Sequence, residues 1–383
     1  MKRCLAAIMA VLLLLPTARA ESAKPELSAA SAILVDADSG RVLYQKNADE
    51  KRLIASITKL MTALVAVEST QDLSREVTVE RADTLTEGSS MYLQIGEKIS
   101  LETLLYGLLL SSGNDAALAI ARNCAGDVET FVEWMNQRCE SLGMKNSHFA
   151  NPNGLNDDTH YSTAADMAKV AIEVMQNETL AKIVGTKSIT LGTRTFTNHN
   201  KLLWQYDGCE GMKTGYTEKA GRTLVSCARR DGQLLVAVTL NDPNDWADHA
   251  KLFDYGFSSY PRQVLALAGK SFRQVPITGS LVRFVTVRTA ADVFFPTTEN
   301  ETIEAKIELP SQVKAPVNEG EIAGSLSFWM DGTCVGETYL VFSSDVRRDT
   351  AGPAALKDKL MDFFAGAKET SALAVFSQSL LTL

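Results

Sequence analysis

Apolar residues along this chain recur first by alternation, then by helical turn, then by alternation again, and the changes of period mark out its elements. Residues 32–35 and 41–45 read as two strands joined by the turn Asp36-Ala37-Asp38-Ser39-Gly40. From 57 to about 68, Leu60, Leu64 and Val67 return on one helical face. Residues 101–125 form a strongly apolar helical stretch, broken by the polar run Ser111-Ser112-Gly113-Asn114-Asp115. Polar groups inside an apolar helix pair are costly to bury unless they serve something. Segments 127–142 and 164–177 are again helical in pattern. After Lys187 the period falls to two: 188–197 alternate, and 223–228 with 233–240 form a hairpin around Arg229-Arg230-Asp231-Gly232. Residues 245–257 return to a helix, with Trp246, His249, Phe253 and Phe257 about a turn apart. Strands at both ends and helices between them predict a mixed α/β layer fold with a largely antiparallel sheet.

Beyond Phe272 only short strand patterns occur, at 281–287, 292–295, 302–309, 324–330 and 334–342, separated by Pro and Gly turns. They predict a small all-β domain, with the boundary near 258–270. In the tail, Leu356, Leu360, Phe363, Phe364 and Ala367 form an apolar helical stripe. It suits a membrane surface, or docking on the β domain. The organisation expected is a leader over 1–20, an α/β domain over 21–262, a β domain over 272–346 and an amphipathic tail over 353–383.

The chain has 383 residues, enough for two or three domains. Its net charge of -8 excludes nucleic acid as the expected partner, because phosphate binding needs a basic surface. Lys2 and Arg3, the apolar run at 5–15 and the small residues of Ala18-Arg19-Ala20 read as an export signal cleaved after Ala20. That run is shorter than the roughly 20 residues a bilayer span needs. Glu21 stands where a lipoprotein would carry Cys. The protein is therefore expected outside the cytoplasmic membrane. Five cysteines remain after the leader (Cys124, Cys139, Cys209, Cys227 and Cys334), with no metal-ligand spacing and no evident pairing. No cofactor and no metal is expected.

Three short motifs carry the chemistry: Ser56-Ile-Thr-Lys59, Ser112-Gly113-Asn114 and Lys213-Thr214-Gly215. Ser56 and Lys59 stand one helical turn apart and face the same way. A serine hydroxyl becomes a nucleophile when a base takes its proton. An amine serves if burial and nearby cations lower its pKa. None of the four histidines falls in a triad-like context and there is no G-x-S-x-G, so Ser-Lys chemistry is preferred over Ser-His-Asp. Ser112 supplies a second hydroxyl to relay protons, and the Asn114 amide can hold Lys59 or a substrate amide. Lys213 and Thr214 can grip a carboxylate, and Gly215 lets a ligand backbone approach. The amides of Ser56 and Tyr216 are candidates for an oxyanion hole. Each motif alone is commonplace: an N-cap serine, a helix-breaking turn, a turn with an exposed lysine. Their conjunction on one chain is not.

With these motifs the chain resembles the low-molecular-mass penicillin-binding proteins, the serine-type D-Ala-D-Ala carboxypeptidases of peptidase family S11. The resemblance extends through DADSGRVLYQKNAD, ASITKLMTAL, GEKISLETLLYGLLLSSGNDAALAIA, NPNGLNDDTHYSTAADMA, NHNKLLW, GMKTGYTEKAGRTLVSCA and DWADHAKLFDYGF, and through 272–343. It implies a β-lactamase/transpeptidase-like catalytic domain, a β domain and often a terminal amphipathic membrane anchor. It further implies removal of the terminal D-Ala from peptidoglycan stem pentapeptides, with β-lactams as covalent inhibitors. By that likeness Ser56 forms the acyl-enzyme, Lys59 is its base, Ser112 and Asn114 complete the proton network, and Lys213 and Thr214 bind the terminal carboxylate. His199 is a further candidate for the carboxylate, its charge depending on pH. The Asn-Pro-Asn-Gly loop at 151–154 and His160 either edge the site or form a structural turn.

Three other readings compete. A β-lactamase would need a deacylating Glu between the second and third motifs, and no E-x-x-L-N pattern lies there. A D,D-endopeptidase or transpeptidase differs only in its acceptor. A non-catalytic wall-binding protein would not be expected to keep every motif residue.

Overall fold

The computed structural model describes residues 23–349. The expected leader and the amphipathic tail lie outside the described residues. The chain divides into two compact units, one running to Arg262 and taking in Pro296–Thr298, the other comprising Gln263–Phe295 and the chain from Glu299.

In the first unit the strands are β1 (Ser31–Asp36), β2 (Val42–Lys46), β3 (Glu76–Thr78), β4 (Lys98–Ser100), β5 (Ser188–Leu191), β6 (Arg194–Thr197), β7 (Cys209–Thr217), β8 (Gly221–Arg230) and β9 (Gln233–Leu240). The helices are α1 (Lys59–Ser69), α2 (Arg81–Thr84), α3 (Leu101–Leu110), α4 (Asn114–Ala125), α5 (Val128–Ser141), α6 (Ala164–Gln176), α7 (Glu178–Gly185), α8 (Leu202–Gln205) and α9 (Asp245–Ser259). A 3-10 turn, Ala55–Thr58, leads into α1. Four of the helices, α3, α5, α6 and α7, begin where a polar side chain satisfies a free amide of the first turn. Ser100 accepts from Thr103 N, Asp127 from Thr130 N, Thr163 from Asp166 N and Asn177 from Leu180 N.

The main sheet has the order β2-β1-β9-β8-β7 and is antiparallel throughout. β9 is buried at every position because both faces of the sheet are covered. Ala32, Leu34, Leu235 and Ala237 pack on one side with Leu252 and Phe253 of α9. Ile33, Val35, Val236 and Val238 pack on the other with the helical layer, including Leu60, Leu104, Ile120, Phe131 and Val170. The alternating pattern of β1 and β9 is thus shared between two cores.

Sequence periodicity predicted one buried face for the helix after Ser56. In the structure α1 is buried all round from Lys59 to Ala66, because it runs among α3, α4, α5 and α6. β7, which carries Lys213, Thr214 and Gly215, is the edge strand beside the Ala55–Thr58 turn.

The second unit is built from β10 (Arg262–Ala266) and β13 (Val293–Pro296), each of which has one end residue in the first unit, with β11 (Ser271–Thr278), β12 (Phe284–Thr289), β14 (Glu304–Glu308), β15 (Val313–Lys314), β16 (Ile322–Met330) and β17 (Thr333–Phe342). Six strands form one sheet, β14-β16-β17-β12-β11-β15, over a core that includes Val275, Val285, Val287, Phe328 and Leu340. The strand expected at 281–287 begins only at Phe284. Residues 279–283 are a hairpin turn, with Gly279 at φ +79, and an unforeseen strand precedes it. All five cysteines of the described residues are free thiols. Among those residues no helix is long and apolar enough to cross a membrane.

Candidate active site

Ser56 sits on the 3-10 turn directly after Ala55, whose φ of 48 is left-handed and unusual for a residue with a side chain. Three groups hold that turn. Gly154, at φ +83, packs so tightly that a Cβ would fall 2.1 Å from Ala55 O. Thr58 Oγ1 donates to Ala55 O (2.8 Å), and Thr223 Oγ1 donates to Ile54 O (3.0 Å). Behind Thr58 stands buried His160. Its Nδ1 accepts from Ala150 N (3.0 Å), so the proton lies on Nε2, which donates to Thr58 Oγ1 (2.8 Å). Burial pushes the His160 pKa down to about 4, so the ring is neutral.

Lys59 is fully buried at the start of α1, and its amine site is defined by three oxygens. Nζ donates to Asn114 Oδ1 (2.7 Å) and to Asn153 O (2.5 Å), and lies 2.8 Å from Ser56 Oγ. A neutral amine has two N–H groups and one lone pair. Two acceptors take the hydrogens, which leaves the lone pair facing the serine hydroxyl. Burial lowers the Lys59 pKa well below its usual value, and the Lys213 charge adds to this against an opposing effect from Asp115. The pair has the geometry of a nucleophile beside a base, and burial favours the neutral form of the amine.

Ser112 and Asn114 come from the break between α3 and α4. Ser112 is itself left-handed (φ 62) and lines the cleft. Asn114 Nδ2 donates to Glu87 O (2.6 Å), which ties Lys59 to the loop before β4. Asp115 anchors the same loop. Its buried carboxylate accepts from Ser90 Oγ (2.6 Å), Met91 N (3.0 Å) and Leu93 N (3.0 Å). That loop places Ser89 in the wall of the cleft.

On β7, Lys213 is buried and its Nζ donates to the Thr214 carbonyl (2.9 Å). Burial pulls its pKa down to about 7. Thr214 and Tyr216 line the cleft. Gly215 was expected to make room for a ligand. It does line the cleft between Thr214 and Tyr216, and it also makes room for the protein itself, since a Cβ there would meet Thr223 Oγ1 at 2.4 Å and Ser56 N at 2.9 Å. The missing side chain lets β7 lie against the nucleophile turn, beside the amides expected to form an oxyanion hole. His199 lies in the loop before α8, in the cleft wall, its pKa lowered by burial and by the Lys213 charge.

The cleft has a volume of 710 Å³ and draws on all three motif segments. Sequence reading brought these segments together, offered the 151–154 loop and His160 either as an edge of the site or as a structural turn, and missed Arg222 and Asp245. Asn153 acts through its backbone carbonyl, which leaves no side-chain signal. His160 acts through Thr58, a contact between residues far apart in the chain. Arg222 is held by Asp245 (2.8 and 2.7 Å to the two carboxylate oxygens) and lies 5.4 Å from the Trp246 ring; all three line the cleft. Asp245 is the one carboxylate lining the cleft among the described residues.

Comparison with known proteins gives matches along most of the chain. Residues 18–244 match the family described as D-alanyl-D-alanine carboxypeptidase, and 262–348 match the penicillin-binding protein 5 C-terminal domain. The D-alanyl-D-alanine carboxypeptidase DacF of Bacillus subtilis is 31% identical over 371 residues, covering 91% of this chain and 95% of the relative. DacA of Escherichia coli K12 is 31% identical over 342 residues, covering 84% of each. Among solved structures, penicillin-binding protein 5 from Haemophilus influenzae superposes with a TM-score of 0.70 at 28% identity, over 85% of this chain and all of that one (100%). A mutant of the Streptomyces K15 DD-transpeptidase gives 0.60 at 33% identity, over 61% of this chain and 100% of its own.

Proposed function

The chain belongs to the D-alanyl-D-alanine carboxypeptidase family, and from that premise we propose how its own residues divide the work. It is a serine D-Ala-D-Ala carboxypeptidase of the penicillin-binding protein type, acting on peptidoglycan. The observation that carries the assignment of roles is the buried, weakly basic Lys59 amine 2.8 Å from Ser56 Oγ.

Ser56 Oγ attacks the carbonyl carbon of the penultimate D-Ala while Lys59 takes its proton. The oxygen that becomes negative is stabilised by the amides of Ser56 and Tyr216. The C–N bond then breaks. The departing D-Ala amine receives a proton from Lys59 by way of Ser112, and an acyl-Ser56 ester remains. Water, activated by the same amine, releases the shortened peptide. Lys213, with Thr214, takes the terminal carboxylate. A carboxylate arriving beside an ammonium of pKa about 7 raises that pKa, so binding fixes the charge it needs. His199 stands in the cleft wall as a secondary donor, and Gly215 keeps β7 close to Ser56.

β-Lactams mimic the D-Ala-D-Ala amide and acylate the same hydroxyl. Asp245, the acid of the cleft wall, has both carboxylate oxygens on Arg222 and is not free to activate water, which supports the carboxypeptidase reading over a β-lactamase. We further propose export after cleavage at Ala20, a catalytic domain over 21–262, a β domain over 272–346, and peripheral membrane contact through 353–383.

The Ser56→Ala variant tests the roles. It is expected to lose both D-Ala release from a stem pentapeptide and covalent labelling by fluorescent penicillin. Label persisting on the variant contradicts the assignment. Deleting 353–383 is expected to move the protein from the membrane to the soluble fraction. Full-length protein already soluble in cell fractions contradicts the tail's role.

A further inference from the structure

The hairpin joining β11 to β12 ends on side chains poorly suited to water. Its turn reads Gly279-Ser280-Leu281-Val282-Arg283, and Leu281 and Val282 are 71% and 48% exposed. Phe284, the first residue of β12, is 52% exposed. Hairpin turns ordinarily carry polar residues or Gly, and only Gly279 has a conformational reason to be here. Nor does the core need the others. Val275 and Ile277 on β11, with Val285 and Val287 on β12, already fill the inner face. Phe284 points the other way, paired with Pro276. Tip and outer face together form one projecting apolar patch.

Cations surround it. Arg283 lies in the turn itself, and Lys314 sits on β15 opposite Thr278. Arg347 and Arg348 immediately precede Asp349, whose N–H donates to Gly279 O (2.9 Å). All four are exposed, and none forms an ion pair with a carboxylate of the described residues. Asp349 is the acid at the tip, and it is engaged: its carboxylate accepts from Leu281 N (2.5 Å) and Ser280 Oγ (3.3 Å). The same bonds fasten the end of the described chain to the hairpin tip. The next residues in sequence are those that carry the apolar stripe from Leu356 to Ala367.

We propose that the β11–β12 tip is a docking surface for an anionic phospholipid bilayer. Three apolar side chains are too few for a stable protein interface, which needs about 800 Å² from each partner. They suffice for insertion at the headgroup boundary when basic residues add attraction to anionic lipid. On a chain of net charge -8 such a local basic collar is what makes approach to an anionic surface favourable. Because the chain continues into the tail from this same tip, two weak contacts there reinforce each other through effective concentration. The hairpin's share is distinct from the tail's and is read separately.

The full chain without its leader is mixed with phosphatidylcholine vesicles, with and without phosphatidylglycerol. Leu281→Asp/Val282→Asp is expected to lower partitioning onto the anionic vesicles by about tenfold or more, with D-Ala release from a soluble peptide unchanged as the check of folding. In a second arm, Val282→Trp fluorescence is read as the difference from the unsubstituted chain. It is expected to be quenched by lipids brominated in the acyl chains. Unchanged partitioning by the double variant overturns the proposal. So does an unquenched signal from the introduced tryptophan, including one already blue-shifted without vesicles, which would mean that the tail or a second copy covers the tip. Equal binding to neutral vesicles overturns the role of the collar.

Discussion

Lys59 and Lys213 are both buried, and both hold their protons weakly for that reason. They need opposite states in the reaction: Lys59 must be neutral to accept a proton, Lys213 charged to bind a carboxylate. Their hydrogen-bond partners distinguish them. Lys59 is surrounded by two oxygen acceptors and a hydroxyl, whereas Lys213 donates to a backbone carbonyl alone among the described residues. Lys213→Ala is therefore expected to raise KM by about tenfold to a hundredfold for peptides with a free terminal carboxylate, consistent with loss of a charged hydrogen bond. Peptide carboxamides should be affected far less; equal losses on both contradict the role. The motif residues were legible because the chemistry demands particular side chains at particular spacings. The 151–154 loop and His160 were legible only as candidates without a role, and Arg222 not at all, since a main-chain carbonyl, a buried imidazole acting through a threonine and a cation held from a neighbouring helix leave no local pattern.

At the scale of elements, the site is a junction of a 3-10 turn, a break between two helices and an edge strand. Each segment adopts backbone that its neighbours enforce: Ala55 and Ser112 are left-handed, and Gly154 and Gly215 are packed on backbone atoms. Gly215→Ala is predicted to push β7 away from Ser56. Penicillin acylation should slow by about tenfold to a hundredfold while the protein still folds, since displacements of about 1 Å at a reacting group have effects of that size. Unaltered acylation would mean that β7 does not set the nucleophile's geometry. The alternating strands and amphipathic helices of the first unit could be read from their periods. The burial of α1 on all sides could not, because a helix enclosed by four others has no polar face to reveal its partners. β11 was hidden for a related reason: only Val275 and Ile277 of its eight residues point inward.

For the whole molecule, acid stability follows from two histidines held neutral in the first unit. His160 has its pKa lowered to about 4 and His249, bonded to Ser226 and Thr239, to about 3. Between the ordinary value near 6.5 and these, the unfolded chain binds protons that the folded chain does not. Stability is thus full above about pH 6.5 and falls as pH drops toward 4, by at most about 1.4 kcal/mol per pH unit for each histidine. Thermal melts at successive pH values should show this fall, and His249→Gln should reduce its slope. A flat profile from pH 7 to 5 contradicts it. Family likeness spans both units, yet the chemistry of the whole molecule comes down to one hydroxyl. The direct measurement is the intact mass of the full-length protein after incubation with penicillin, followed by mapping of the modified peptide. A single added drug mass on the peptide that contains Ser56 is the predicted result. An unmodified protein, or a label carried by another residue, would contradict it.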